Sequence, residues 1–238
     1  MSSTIYVAAF LTAVITLLTG FGLGTIMTPI LTYVYDVKIA VLLVAIVHFL
    51  NNLFKVILFR KDISLPILKR FGALSIIGAF IGSMAQIYIY SGSLKIFLGV
   101  VLVFLGLKEV LPQLENWKIP QKLDVVGGFL SGLLGGLVGN QGAIRSAYLL
   151  NYSVSKETFI VSAASIACMV DAARIPIYLY SYHSALAPQI IPLIKVTALV
   201  FLGTLVGKKL LPHISLERFK KFVAAMVVLL GISLIAGL

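Results

Sequence analysis

Two bases stand inside long apolar runs, and each follows a polar residue by one helical turn: Asn52 precedes Lys55, and Asp171 precedes Arg174. Residues three or four apart share a helix face. Asp171 can therefore pair with Arg174, while Asn51 and Asn52 flank the stripe that carries Lys55. A charged group in hydrocarbon is expensive and by default marks a substrate or ion pathway, and bases with amide donors beside them attract an anion. Two plainer uses stay open. Lys55 can snorkel toward nearby Arg60, and Arg174 can form a salt bridge with Asp171 that only holds helices together. Asp171 can also carry a proton if burial favours its neutral form, which Arg174 opposes.

Further polar residues accompany two glycine clusters. Thr25 follows Gly20, Gly22 and Gly24, and a second break is expected over Gly135, Gly136, Gly139 and Gly142, the last two enclosing Asn140 and Gln141. Glycines this dense weaken a helix interior, and the backbone they free in lipid must be buried in protein or face a watery cavity. The alternative is that they are small-residue helix contacts, but contacts of that kind need no polar company. Arg145 opens the segment after Gly142, where helix-end potential disfavours a base unless an anion or carboxylate is near; it is either an anion contact or an arginine at the interface. His48 reads as a helix-contact residue ahead of a proton relay, Cys168 as a small packing residue, and Tyr88, Tyr90, Tyr178, Tyr180 and Tyr182 as interfacial belts. One Cys and three His give neither a disulfide framework nor metal-ligand spacing, so no cofactor is expected.

The elements that must hold these residues are set by lipid. Of 238 residues 60% are hydrophobic and 11% charged, against about a quarter charged in a soluble domain, and the mean hydropathy is +1.09. Apolar segments run at about Ile5 to Tyr35, Ile39 to Phe59, Leu68 to Ile89, Leu94 to Leu111, Val125 to Leu150, Thr158 to Tyr180, Leu193 to Leu210 and Phe219 to Leu238. Each is near the length of about 20 residues that crosses a bilayer. The N-terminus lacks the basic stretch and cleavage site of a removed signal peptide. The net charge of +11 collects in the gaps between segments, where membrane topology explains it better than nucleic acid does.

Basic residues crowd three gaps: Arg60, Lys61, Lys69 and Arg70; Lys108, Lys118 and Lys122; and Lys208, Lys209, Arg218, Lys220 and Lys221. The positive-inside rule puts these gaps in the cytoplasm. Counting back from the third puts Lys156 inside too, so the segment between Lys122 and Lys156 must enter and return. Glycines recur in step, Gly78, Gly82 and Gly106 with Gly203, Gly207 and Gly231, and Gly24, Leu31 and Lys38 align with Gly142, Leu149 and Lys156. The expectation is an all-α integral membrane protein with an inverted-topology repeat, each half one glycine-broken re-entrant hairpin plus three transmembrane helices. Residues 1–112 form the first repeat, 113–123 a cytoplasmic linker and 124–238 the second, with both termini outside the cytoplasm. Two broken elements meeting near the midplane present helix N-termini to one anion site.

The stretches LLTGFGLGTIMTPIL from Leu17 to Leu31 and FLSGLLGGLVGNQGAIRSAYLL from Phe129 to Leu150 resemble the sulfite exporter TauE/SafE family of small permeases. Its pattern is a leucine-rich run, a glycine cluster, then small and apolar residues with a proline, once per half. The first copy keeps Pro29. The second departs, with Asn140 and Gln141 interrupting the glycines and Arg145 and Ala147 in the apolar and proline positions. The resemblance implies passage of sulfite, sulfonates or related sulfur-containing anions across the cell membrane. It also implies a pathway lined by the two glycine clusters with Asn51, Asn52, Lys55, Asp171 and Arg174. The expected function is secondary transport of a small anion by alternating access, with a coupling proton open. An anion channel, or a carrier of a carboxylate without sulfur, remains the alternative. An intramembrane enzyme needs a nucleophile, metal cluster or acid pair facing the cavity, for which Cys168 and distant histidines are thin support; no ATP-binding loop is present, and the oligomeric state is not encoded.

Overall fold

The computed structural model describes residues 3–19, 22–110, 121–149, 152, 154–211, 213, 225, 228–229 and 231–237. Their regular structure is helical: α1 Ser3–Thr19, α2 Leu23–Thr32, α3 Val37–Leu58, α4 Leu65–Tyr88, α5 Ser91–Val110, α6 Asp124–Val138, α7 Gly142–Leu149, α8 Lys156–Leu186 and α9 Ile190–Leu210. Local chemistry sets the ends. Asp36 caps α3 by accepting the Lys38 amide at 2.9 Å, and Ser155 caps α8 by accepting the Thr158 amide at 3.1 Å. In α4 one π turn, Leu68–Gly72, joins the first residues to the rest.

Six full crossings with two re-entrant hairpins, three crossings to a half, are not what the chain builds. Among the described residues, three helical stretches are long and apolar enough to cross a bilayer: Val37–Leu58, Leu65–Tyr88 and Lys156–Leu210. The apolar helices Ser3–Leu17, Leu23–Thr32, Ser91–Phe104 and Asp124–Val138 are shorter. The physical reasons differ by segment. Glycine divides the first and fifth apolar runs into short pieces. The polar gap expected between Tyr180 and Leu193 stays helical instead, because Ala and Leu carry the helix on. There it bends at Tyr182 and through a 3₁₀ turn at Ala187–Gln189, which makes one stretch of 55 residues. Most of the eighth run, the linker at 113–120 and Gly20 lie outside the described residues. The chain is an all-α, multi-pass membrane protein, and its large exposed side chains, such as Val7, Ile57, Phe80, Phe104 and Ile194, suit a lipid-facing surface.

Glycine seams hold the helices at backbone distance. A Cβ built on Gly128, Gly132 or Gly136 of α6 would lie 2.2, 2.0 or 2.4 Å from the carbonyl oxygens of Phe71, Ser75 and Ala79. Gly78 and Gly82 of α4 are shut in the same way by Phe129 and Leu133. On the far side Gly203 of α9 meets the Phe10 carbonyl of α1, and Gly207 lies near Val14. The glycines that recur in sequence thus do matching work, Gly78 and Gly82 against α6 and Gly203 and Gly207 against α1. Such small-residue stripes replace the hydrophobic effect, which gives helices no reason to associate in lipid.

At the foot of α6 the Tyr152 hydroxyl donates to the buried carboxylate of Asp124. Burial, reinforced by that carboxylate, pushes the Tyr152 hydroxyl up to about 12. The stability this pair contributes is therefore complete below the ordinary tyrosine value near 10 and lost as pH rises toward 12. Unfolding midpoints in detergent between those limits should fall for the natural chain and stay flat for Y152F. At the seam, Gly132→Ala should destabilise by about 1–3 kcal/mol through overpacking, read as a lowered midpoint in the same assay.

Candidate functional site

The two helix breaks are made by glycine in conformations that L side chains rarely adopt. Gly139 ends α6 with φ 77° and donates its amide to the Gly135 carbonyl at 3.0 Å; Gly22 precedes α2 with φ 137°. Gly135 and Gly136, expected to belong to the second break, lie within α6, so the break is confined to Gly139–Gln141.

The breaks touch. A Cβ on Gly24 would lie 2.3 Å from the Gly139 carbonyl oxygen, and Thr25 Oγ1 donates to Asn140 Oδ1 at 2.9 Å. Between them is a cavity of about 10 Å³, room for about one water, lined by Gly22, Gly24, Thr25, His48, Gly139, Gln141, Gly142 and Arg145. α2 and α7 both begin here, and the first amides of a helix have no acceptor within it. Both ends therefore bring positive potential to one place.

Behind the cavity lies a buried ionic network. Asp171 Oδ1 accepts from Arg174 Nε at 2.9 Å and lies 2.7 Å from Nη2. Asp171 Oδ2 is 2.6 Å from His48 Nδ1. Gln141 Nε2 reaches toward Asp171 at 3.4 Å, and the Gln141 side-chain oxygen accepts from Arg145 at 3.3 Å. Arg174 also donates to the Gly135 carbonyl, and the Tyr178 hydroxyl donates to that of Gly136. Asp171 and Arg174 are both wholly buried. They tie α8 to the last turn of α6, directly below the break.

Arg145 is the exception. It is 2% exposed, it forms no salt bridge among the described residues, Asp171 acting on it only from a distance, and its Nε has no hydrogen-bond partner. Asn140 Nδ2 and Thr28 Oγ1 are likewise buried without a partner, Thr28 lying close to Gly139. An unmet buried donor costs about 1–3 kcal/mol, and an unpaired buried charge costs more. Three unmet groups at one glycine cradle, one of them cationic, fit an acceptor with negative charge.

Of the residues singled out from sequence, Gly22, Gly24, Thr25, Gly139, Gln141, Gly142 and Arg145 come together on the cavity, with Asn140 bonded to Thr25. Asp171 and Arg174 form the layer behind it. Asn51, Asn52 and Lys55 are buried but stand off the cavity. Asn51 accepts from Thr204 of α9 at 2.7 Å, and Asn52 donates to the His48 carbonyl of its own helix at 2.8 Å. Lys55 lies within electrostatic reach of Arg145 and Cys168 and has no carboxylate partner among the described residues. Sequence reasoning missed two participants. His48, read as a helix contact, lines the cavity and binds Asp171; its place within a membrane span was the available signal. Tyr178, read as part of an interfacial belt, is wholly buried, while Tyr88, Tyr90 and Tyr180 are exposed.

Replacing Asp171 by Asn leaves Arg174 buried without its counter-charge. D171N should lose about 3–5 kcal/mol of stability, and the double variant D171N/R174Q should recover part of it in a double-mutant cycle read by thermal unfolding in detergent.

A family model described as sulfite exporter TauE/SafE matches residues 5–234. No curated protein and no solved structure matches the chain.

Proposed function

The chain belongs to the sulfite exporter TauE/SafE family, whose members are anion-transporting membrane proteins rather than enzymes, and from that membership and the buried cavity we propose that it is a secondary carrier of a small sulfur-containing anion, sulfite or an organosulfonate. The observation that carries this reading is Arg145, a buried guanidinium with an unmet donor at the meeting point of two helix breaks. Guanidinium stays charged at any physiological pH and presents a planar fork of donors suited to oxyanions. The anion sits in the glycine cradle, taking hydrogen bonds from Arg145, the Asn140 amide and the first amides of α2 and α7.

Lys55, buried beyond the cavity and toward the basic gap of Arg60 and Lys61, supplies a second cation on the cytoplasmic approach. Residues 1–112 and 124–238 act as two repeated units with the site between them, a reading supported by the matching seams of Gly78 and Gly82 on α6 and Gly203 and Gly207 on α1. Movement of one unit against the other opens the cavity to each side of the membrane in turn.

The test is flux of sulfite, an alkanesulfonate and a small carboxylate into proteoliposomes holding the full chain. Saturable uptake of the sulfur anions with counterflow is expected, and currents that never saturate would make the protein a channel. Losing one charge-assisted contact of about 1.5–3 kcal/mol should weaken half-saturation of R145Q by about 10- to 100-fold. Carboxylate uptake that outcompetes both sulfur anions would overturn the substrate class.

A further inference from the structure

Resting on the carrier reading above, we propose that His48 is the group that carries a coupling proton, taking it up from the cavity when the anion occupies Arg145 and releasing it when the anion leaves. The hydrogen bonds assign the ring's two nitrogens. Asp171 is wholly buried, and one of its oxygens meets both Nε and Nη2 of Arg174. A carboxylate held by a guanidinium is an acceptor only. Its other oxygen is 2.6 Å from His48 Nδ1, so Nδ1 carries the hydrogen and donates it. Neutral imidazole then keeps Nε2 as its one basic nitrogen. His48 lines the cavity and Asp171 does not. A proton arriving with the substrate therefore meets His48, and Asp171 holds the ring and steadies the charge.

The charges around His48 make the two events one. Asp171 and Arg174 face it from α8 and Arg145 from α7, Lys55 stands two turns along its own helix, and α2 and α6 bring no charged side chain to the cavity. With the cavity empty, Arg174 and Arg145 repel a second positive charge, against the single attraction of Asp171. An anion at Arg145 adds an attraction that offsets its repulsion in a low-dielectric space. Linkage makes this reciprocal: the anion raises affinity for the proton by the same factor as the proton raises affinity for the anion. Nε2 gains one proton from cavity water and returns one to it, and no other bond is made or broken.

The experiment uses proteoliposomes of the full chain with ethanesulfonate, whose charge does not change with pH near neutrality. In the natural chain, one unit of pH gradient, acid outside, should drive about ten-fold accumulation, with one proton entering per anion reported by a dye in the lumen. His48→Asn keeps an N–H donor where Nδ1 stands but has no second basic nitrogen. H48N should exchange ethanesulfonate at a reduced rate that no longer varies with pH, and its accumulation and proton entry should vanish. Gradient-driven accumulation by H48N equal to that of the natural chain would overturn the assignment. So would counterflow by the natural chain with no response to the gradient, a measurement that does not depend on the variant folding. Absence of counterflow of both sulfite and ethanesulfonate in the natural chain would instead overturn the carrier reading, and this assignment with it.

Discussion

A guanidinium enclosed in a medium of low dielectric constant must be met by negative charge, and Arg145 has no carboxylate in direct contact among the described residues. The carboxylate nearest to the problem, Asp171, is engaged by Arg174 and His48. The two helix ends that frame the cavity add positive potential where positive charge is already in excess. Asp171 offsets part of that excess from a distance but forms no salt bridge with Arg145, and the chain is nonetheless built to hold it. Gly139 and Gly22 adopt left-handed backbone to start and stop helices there, and Thr25 and Asn140 fasten one break to the other. The fold brings buried positive charge and unpartnered donors together where its two broken elements touch.

Much of this was legible in the sequence, for reasons that can be stated residue by residue. A charge in an apolar run has few explanations, so Asp171, Arg174 and Arg145 announced themselves, and the i, i+3 spacing of the first two foretold their bond. Polar residues at glycine clusters marked both breaks. The apolar runs were less informative, because a run of lipid-compatible residues does not say where its helix stops. Glycine shortened the first and fifth runs, and the helix continued through the polar stretch around Tyr182, so the number of spanning helices came out wrong. Facing is the other thing periodicity could not supply. Asn51 and Asn52 lie on the same helix as His48, yet the helix turns Asn51 to Thr204 and His48 to Asp171. Only tertiary packing fixes that rotation.

The ionic layer also explains why α6 ends where it does. The carbonyls of the last turn of a helix have no partners within it. That of Gly136 receives Tyr178 from α8, and that of Gly135, which already accepts the Gly139 amide, takes Arg174 as a second donor. Side chains of one helix thereby finish the hydrogen bonding of another, and the break above them can stay open without leaving bare backbone in the hydrocarbon.

The seam between α4 and α6 has a mechanical corollary. Where main chain rests on main chain over three successive turns, there is no side-chain cushion to re-pack, and neither sliding nor rolling is available at low cost. Those two helices form a stiff plate. In the carrier motion proposed above, displacement falls to the opposite contact, where the approach of Gly24 to Gly139 and the Thr25 hydroxyl on Asn140 join α2 to the rim of that plate, as a door swings on its narrowest edge.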